Sequence, residues 1–207
     1  MKYLTDSLAW LQSAAGANCY WLDTDGHTVI VDPGMTRGLN PVARELRAAG
    51  RSPYEVTDIL LTHYDPDHAQ AAAQWQRRTG ARTWLGAADA AILTRAVPPP
   101  PTPFRRIAGR LSLPELPGNL QLLDGDAELW PGLTALATPG HTPGHHAFRA
   151  GRVLFAGDAA LSKEGRLTRV PSFLMSDLAR GAVDLARLSA LDVDWYCCGH
   201  SAPQRRR

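Results

Sequence analysis

Residues 61–68, LTHYDPDH, bring four side chains that can bind a metal ion within six residues: His63, Asp65, Asp67 and His68. In an extended chain, side chains at alternate positions point the same way, so the first three would share one side. Two carboxylates this close repel each other, and a divalent cation removes that repulsion. The segment therefore predicts a metal site.

Further candidates for the same site follow at long intervals along the chain. His141 lies in the segment TPGHTPGHH with His145 and His146, Asp158 ends the segment FAGD, and His200 ends the segment CCGH. The intervals are too long and too uneven for a zinc-finger loop or one helix face. They fit a site that is assembled from several strand ends.

The strands that would position these residues are visible as apolar runs that end in Gly, Pro, Thr or Asp. Five such runs occur: HTVIVDPG, TDILLTH, LTALATPGH, GRVLFAGD and VDWYCCGH. The last four deliver a His or an Asp at the strand end or just after it. Alternation of strands with helices predicts a domain of mixed helices and strands. Loops at successive strand ends can converge on one rim of a sheet, where chemistry tends to lie.

Three helices are predicted, over residues 40–50, 68–79 and 176–190. Pro41 suits the first turn of the first helix, and Gly80 suits the end of the second. Ser176 is expected to cap the third. Four residues of this third helix fall near one face, which we expect to be apolar: Leu178, Ala182, Leu185 and Leu188.

Taken in order, these motifs resemble the metallo-β-lactamase superfamily of metallohydrolases. LTHYDPDH is similar to that family's H-x-H-x-D-H segment with one change, and TPGHTPGH matches the glyoxalase II-like form of the next motif. The GD of Asp158, the GH of His200 and the VDPG turn at Asp32 occupy the matching order. The resemblance covers residues 18–203 and implies an α+β fold, a four-layer α/β/β/α sandwich with metal ions at one edge of its two sheets.

The resemblance also implies the role of each site residue around two divalent ions. The first ion would be bound by His63, Asp65 and His141. The second would be bound by Asp67, His68 and His200. Asp158 would bridge both ions, and Asp32 and His145 would orient ligands rather than bind metal.

Asp65 stands where the family usually has His. A carboxylate there adds negative charge and oxygen character, which suits Mn or Fe better than an all-imidazole site does. We expect zinc, with manganese or iron as alternatives. Because the Asp side chain is shorter than that of His, occupancy of the first site depends on how far its oxygen reaches.

The function implied by the resemblance is hydrolysis of an ester, thioester or lactone in the glyoxalase II-like or lactonase-like branch. A hydroxide that bridges the two metals would attack, and Asp67 would bind metal and orient that hydroxide. No G-x-S-x-G segment for a serine nucleophile occurs.

Three alternatives remain. His63, His141 and Asp158 also correspond to the iron ligands of persulfide dioxygenases, which are mononuclear oxidoreductases of the same superfamily. The second alternative is a phosphodiesterase or nuclease of the same fold, and the third is a metal-free binding module.

The composition is that of a globular domain, with 44% hydrophobic and 20% charged residues. We expect one domain over residues 1–207, with a proline-rich insertion at about 96–119. Arg105, Arg106 and Arg110 in this insertion are candidates for contact with an anionic substrate, and Phe173 and Met175 are candidates for the pocket wall.

A net charge of +2 argues against nucleic acid as a partner. The expected partner is a small-molecule substrate. Because dimers are common in the family that the sequence resembles, a homodimer is compatible with this expectation.

The expected location is the cytoplasm. No apolar run approaches the ~18 residues of a membrane span, and residues 1–10 lack the apolar stretch of a signal peptide. Three cysteines do not form a disulfide framework. Because the sequence ends shortly after His200, we also expect no C-terminal helical domain of the kind that helps glyoxalase II to bind glutathione thioesters.

Overall fold

A computed structural model describes residues 1–102 and 113–207 of the chain. Its first sheet has seven strands that lie side by side in chain order. They are β1 (Lys2–Tyr3), β2 (Leu8–Leu11), β3 (Cys19–Thr24), β4 (His27–Val31), β5 (Asp58–Leu60), β6 (Arg82–Gly86) and β7 (Leu120–Leu123). Strands β1 to β4 pair antiparallel, whereas β4 to β7 pair parallel.

The second sheet has six strands in the order β15-β14-β11-β10-β9-β8. They are β8 (Ala127–Trp130), β9 (Leu133–Ala137), β10 (His146–Ala150), β11 (Val153–Gly157), β14 (Trp195–Cys198) and β15 (Gln204–Arg205). Only β11 and β14 pair parallel in this sheet. A separate hairpin joins β12 (Leu161–Lys163) to β13 (Arg166–Thr168).

The described helices are α1 (Leu39–Ala48), α2 (Pro66–Ala69), α3 (Ala72–Thr79), α4 (Ala87–Leu93) and α5 (Leu178–Ser189). The single helix predicted over residues 68–79 is wrong, because the segment forms the short α2 and then α3. Gly80 ends α3 in the left-handed conformation, with φ +72°, as expected. The cap of α5 is Asp177 rather than Ser176, since the Asp177 side chain accepts a hydrogen bond from the Arg180 N–H.

Three buried clusters divide the fold into four layers. The first cluster packs α1, α3 and α4 on the outer face of the first sheet, through residues such as Ile30 and Ile59. Their neighbours along the strands, such as Val31 and Leu60, belong to the cluster between the two sheets. A third cluster packs α5 on the outer face of the second sheet through Leu188. Alternate strand residues therefore face opposite layers, and the predicted α/β/β/α sandwich is confirmed.

The five apolar runs identified in the sequence are strands β4, β5, β9, β11 and β14. The first two belong to the first sheet and the other three to the second. The loops that follow them meet at one edge of the sandwich. The donor-bearing residues predicted from the sequence lie in these loops.

Part of the proline-rich insertion lies outside the described residues. Arg105, Arg106 and Arg110 fall within residues 103–112, so their predicted contact with an anionic substrate is not described by the structure. Within the described ranges, no helix combines the length and the apolar character that crossing a bilayer requires.

Gly86, at the end of β6, allows a loop of the second sheet to approach the first sheet closely. Its φ of −58° suits any residue. A Cβ at this position would overlap the backbone carbonyl of Gly144. Steric space alone therefore requires glycine here.

We expect Gly86→Ala to lower the free energy of unfolding by about 1–3 kcal/mol, because two backbones must separate. The matched control is Gly118→Ala, whose Cβ would meet only the flexible end of the Gln76 side chain at 3.0 Å. It should change stability by less than about 0.5 kcal/mol. Urea denaturation measures both, and equal stability of the two variants would contradict the close-approach argument.

Candidate metal centre

The structure brings together at one sandwich edge all seven residues that the sequence nominated as metal ligands. The first group is His63, Asp65 and His141, whose ligand atoms lie within 4.8 Å of one another. The Asp65 Oδ2 lies 3.2 Å from His141 Nε2 and 3.5 Å from His63 Nε2. Despite its short side chain, Asp65 therefore reaches the two imidazoles with which it was predicted to act.

The second group is Asp67, His68 and His200. The Asp67 Oδ2 lies 3.1 Å from His200 Nε2 and 3.9 Å from His68 Nε2. The two imidazole nitrogens are 3.3 Å apart. His68 is fully buried, whereas the His200 side chain is 41% exposed, so this group faces solvent on one side.

Asp158 lies between the two groups. Its Oδ2 is 3.4 Å from His200 Nε2 and 3.8 Å from His141 Nε2, and its Oδ1 is 3.5 Å from His68 Nε2. One buried carboxylate thus faces imidazoles of both groups. This is the arrangement that a bridging ligand requires.

The donor set fits a pair of divalent cations. Within the described part of the chain, the buried atoms His63 Nε2 and Asp158 Oδ1 have no hydrogen-bond partner. Two donors that each lie 2.0–2.1 Å from one tetrahedral ion are about 3.4 Å apart, and the separations above are close to that value. Buried polar atoms without partners are costly, and a shared cation would satisfy both.

Asp32 contacts the His68 ring on the side away from the centre. Its Oδ2 lies 2.9 Å from His68 Nδ1 and 2.7 Å from the Thr62 hydroxyl that donates to it, and its Oδ1 accepts from the Thr62 N–H at 2.8 Å. Asp32 has φ +49°, a left-handed conformation that Asp tolerates better than most residues. With Nδ1 donating to Asp32, the His68 Nε2 is directed at the centre.

His63 is oriented in a similar way. The Thr62 hydroxyl donates to Asp32, so it accepts from His63 Nδ1, which lies 3.0 Å away. The proton on Nδ1 leaves His63 Nε2 as the unprotonated nitrogen. An imidazole must be in this state to bind a metal ion.

His145 supports the centre without facing it. Its Nε2 accepts a hydrogen bond from the Asp158 N–H at 3.1 Å, and its Nδ1 lies 2.7 Å from the Thr138 hydroxyl. Both ring nitrogens are therefore used, and the ring holds the Asp158 backbone. His146 turns away, with its nitrogens 2.9 Å and 3.1 Å from the carbonyl oxygens of Gly144 and Gly125.

Electrostatic attraction and hydrogen bonds between imidazoles and carboxylates shift the pKa values of both kinds of group at the centre. Hydrogen bonds to Asp158 and Asp67 raise the pKa of His200 to about 9. Burial lowers the pKa of His68, but the charges of Asp158 and Asp32 outweigh burial and raise it well above its usual value. Burial raises the pKa of Asp158, yet His68 and His200 hold it well below its usual range.

Asp89 is a supporting residue that the sequence did not reveal. This fully buried carboxylate of α4 accepts hydrogen bonds from the Thr142 hydroxyl at 2.7 Å, the Gly144 N–H at 2.7 Å and the Tyr64 N–H at 3.1 Å. It therefore ties the loop of His63 to the loop of His141, across the two sheets. The surrounding sequence, AADAAIL, contains no motif, and only burial identifies the residue.

Asn18, which directly precedes β3, and Tyr20 of β3 anchor the His200 loop. The Asn18 side-chain amide donates to the carbonyl oxygens of Cys198 at 2.9 Å and Ser201 at 2.7 Å. The Tyr20 hydroxyl donates to the same Cys198 carbonyl at 2.9 Å. These bonds restrain the backbone on both sides of the most exposed donor of the centre.

The chain is similar to known proteins over most of its length. A family model described as the metallo-beta-lactamase superfamily matches residues 14–200. A hydroxyacylglutathione hydrolase of Albidiferax ferrireducens is 30% identical over 88% of this chain and 62% of its own. An N-acyl homoserine lactonase from Bacillus sp is 27% identical over 74% of this chain and 67% of its own.

A solved structure of a metallo-beta-lactamase family protein from Thermus thermophilus has a similar fold. Its TM-score is 0.74 at 25% identity, over 98% of this chain and 76% of that one. The chain spans less than two thirds of the hydroxyacylglutathione hydrolase that it matches.

Asp89→Ala should lower the free energy of unfolding by at least about 2 kcal/mol, because it leaves three buried donors without an acceptor. It should also reduce metal bound per chain by separating the two loops. Asp89→Asn, which keeps one acceptor oxygen, should be less affected in both measurements. The control is Asp192→Ala at an exposed ion pair, expected to cost less than about 0.5 kcal/mol. Asp89→Ala with wild-type stability would contradict this role.

Metal binding should release protons, because the His200 pKa of about 9 means that its ring is protonated at neutral pH when no cation competes. A cation must displace that proton, so apparent affinity should rise with pH until about pH 9 and then level off. Zinc titration by calorimetry in buffers of different ionisation enthalpy counts the protons. His200→Gln should release fewer, and an affinity that is independent of pH would contradict the assignment.

Proposed function

The chain belongs to the metallo-β-lactamase superfamily, and from that premise we propose that it is a dinuclear metal-dependent hydrolase of an ester, thioester or lactone. The observation that carries the proposal is the Asp158 carboxylate, which faces imidazoles of two three-residue donor groups that share no residue. One metal ion would not need two such groups.

Seven residues would hold the two ions. His63, Asp65 and His141 would hold the first, Asp67, His68 and His200 the second, and Asp158 both. Bound there, two divalent ions would supply a water of lowered pKa as the nucleophile and polarise the substrate carbonyl.

Asp67 is the residue that we propose to act on the nucleophile. Burial raises the pKa of Asp67, but the His200 hydrogen bond and the His68 charge outweigh burial and lower it, so the carboxyl is ionised at neutral pH. Its Oδ2 faces His200, whereas its Oδ1 makes no hydrogen bond within the part of the chain that the structure describes. We assign to Oδ1 the acceptance of a hydrogen bond from the attacking water.

Two features support a small carbonyl substrate. Relatives are named as a hydrolase of hydroxyacylglutathione and as an N-acyl homoserine lactonase. The donor set is open to solvent on the side of His200 and Asp67, whose side chains are 41% and 33% exposed. A substrate carbonyl would approach from that side.

The carboxylate of Asp65 leaves zinc, manganese and iron as candidate metals.

The test is elemental mass spectrometry of protein purified without chelator, followed by assays with lactones, esters and thioesters. Two ions per chain and hydrolysis of one of these classes would support the proposal. One iron per chain with oxygen consumption on a persulfide would overturn it in favour of the dioxygenase. Cleavage of phosphodiesters alone would indicate the nuclease. No bound metal after incubation with zinc and manganese would leave a binding module.

Asp65→Ala should reduce the metal content from two ions per chain to one, because the first ion would lose one of its ligands. It should lower kcat/KM by at least ~100-fold. Asp65→His, which restores the usual family ligand, should keep two ions and shift metal preference towards zinc. Asp192→Asn at the surface is the control for charge loss. Two ions in Asp65→Ala would show that Asp65 is not a ligand.

A further inference from the structure

A cavity of about 250 Å³ lies between α5 and residues 169–175. Its lining is mainly apolar, with Ala159, Met175, Leu178, Ala182 and Leu185 on its walls. The helix residues are those predicted from the sequence to form the apolar face of α5. That face does not pack fully on the sheet, because Leu178 remains 59% exposed.

Two cavity walls are continuous with loops that carry metal-ligand candidates. Ala159 directly follows Asp158, the carboxylate shared by the two donor groups. Met175 directly precedes Ser176, whose hydroxyl donates to the His141 carbonyl at 2.7 Å. The cavity is therefore built against the same segments that position the centre.

Gly181 gives the cavity its shape. A Cβ at this position would overlap the Met175 side chain, and a Cβ at Gly140 would overlap Gly181 itself. Two glycines thus allow α5, Met175 and the His141 loop to approach one another. The exposed Phe173 belongs to the same segment as Met175, although it is not among the residues that line the cavity.

Arg169 is the one charged side chain among the described residues that line the cavity. It is exposed to solvent, and no carboxylate in the described ranges lies within ion-pair distance of it. Other arginines of the chain, such as Arg51 and Arg187, pair with Asp23 and Asp126. An apolar cavity with an available guanidinium at its solvent side matches a ligand that has an apolar arm and an anionic group.

We propose that this cavity binds the acyl arm of the substrate and that Arg169 binds a carboxylate on that arm. The inference rests on the proposed hydrolase function and narrows its substrate class to esters, thioesters or lactones of carboxylate-bearing acyl groups. A cavity of ~150 Å³ holds benzene, so this one has room for roughly six to ten carbon atoms.

The test compares nitrophenyl esters of three acids: acetic acid, octanoic acid and octanedioic acid, the last as its monoester with a free carboxylate. Wild-type protein should have the highest kcat/KM for the octanedioic monoester and the lowest for the acetate. Ala182→Trp fills the cavity from an exposed helix position, so the fold should tolerate it. It should raise KM for both long esters by about tenfold or more and leave the acetate ester unchanged.

The matched control is Ala186→Trp, an exposed position one turn further along α5 that does not line the cavity. It should behave as wild type with all three esters. Equal effects of the two Trp variants, or no effect of Ala182→Trp, would overturn the cavity assignment.

Arg169→Gln should lower kcat/KM about fivefold for the octanedioic monoester, the size expected for an ion pair at an exposed position. It should leave the octanoic ester unchanged, because only the first ester carries the carboxylate. Arg166→Gln, at an exposed arginine of β13 outside the cavity, is the control. Equal sensitivity of both long esters to Arg169→Gln would refute carboxylate recognition.

A binding measurement separates this inference from the proposed function. Octanedioate is added to the metal-loaded protein, and the amide resonances of α5 are followed by NMR in wild type and in Ala182→Trp. Chemical-shift changes in wild type that disappear in Ala182→Trp, with no ester hydrolysed, would support ligand binding in the cavity and refute the hydrolase function. Hydrolysis without preference for chain length or carboxylate, and without such chemical-shift changes, would refute ligand binding in the cavity and support the hydrolase function.

Discussion

The structure depends on one electrostatic constraint: three carboxylates and four imidazoles must coexist, largely buried, where the two sheets meet. Carboxylates at this density repel one another, and each group loses hydration on burial. The pKa shifts show how the chain compensates, since His68 and His200 gain proton affinity while Asp158 loses it. A pair of cations performs the same compensation more completely. The cluster is therefore suited to metal ions by its charge balance as well as by its distances.

The same constraint explains why polar contacts, both within each sheet and between the two sheets, hold the donor residues in place. Asp32 and Thr62 hold the imidazoles of the first sheet, and His145 holds the backbone of Asp158 in the second. Asp89 links the His63 and His141 loops, while Asn18 links the first sheet to the His200 loop. A site whose ligands come from two sheets needs such ties, because sheet packing alone does not determine loop positions to within a fraction of an ångström.

Helix α5 connects the centre to the cavity that we assign to the acyl arm. Asp184 accepts a hydrogen bond from the Gly140 N–H at 2.9 Å, so this helix is fixed to the loop of His141. Beside this contact the apolar face of α5 is left partly open. The same helix thus contacts the loop of a candidate metal ligand and lines the cavity. Under the two proposals, it would hold the reacting carbonyl and the acyl arm at a fixed distance from each other.

The sequence alone located five of the strands and identified the candidate donor residues, because apolar runs and His/Asp motifs are local patterns. The layer order followed from the resemblance of those motifs to the metallo-β-lactamase superfamily, not from the local patterns themselves. It did not determine where helices α2 and α3 separate, since high helix propensity hides the break between them. Asp89 and Asn18 were also missed, because isolated residues acquire their role only from partners that are distant in the chain. The reach of the Asp65 oxygen and the open face of α5 were decided by packing. Both depend on how closely two backbones approach, and that distance is set by tertiary contacts such as those of Gly86 and Gly181.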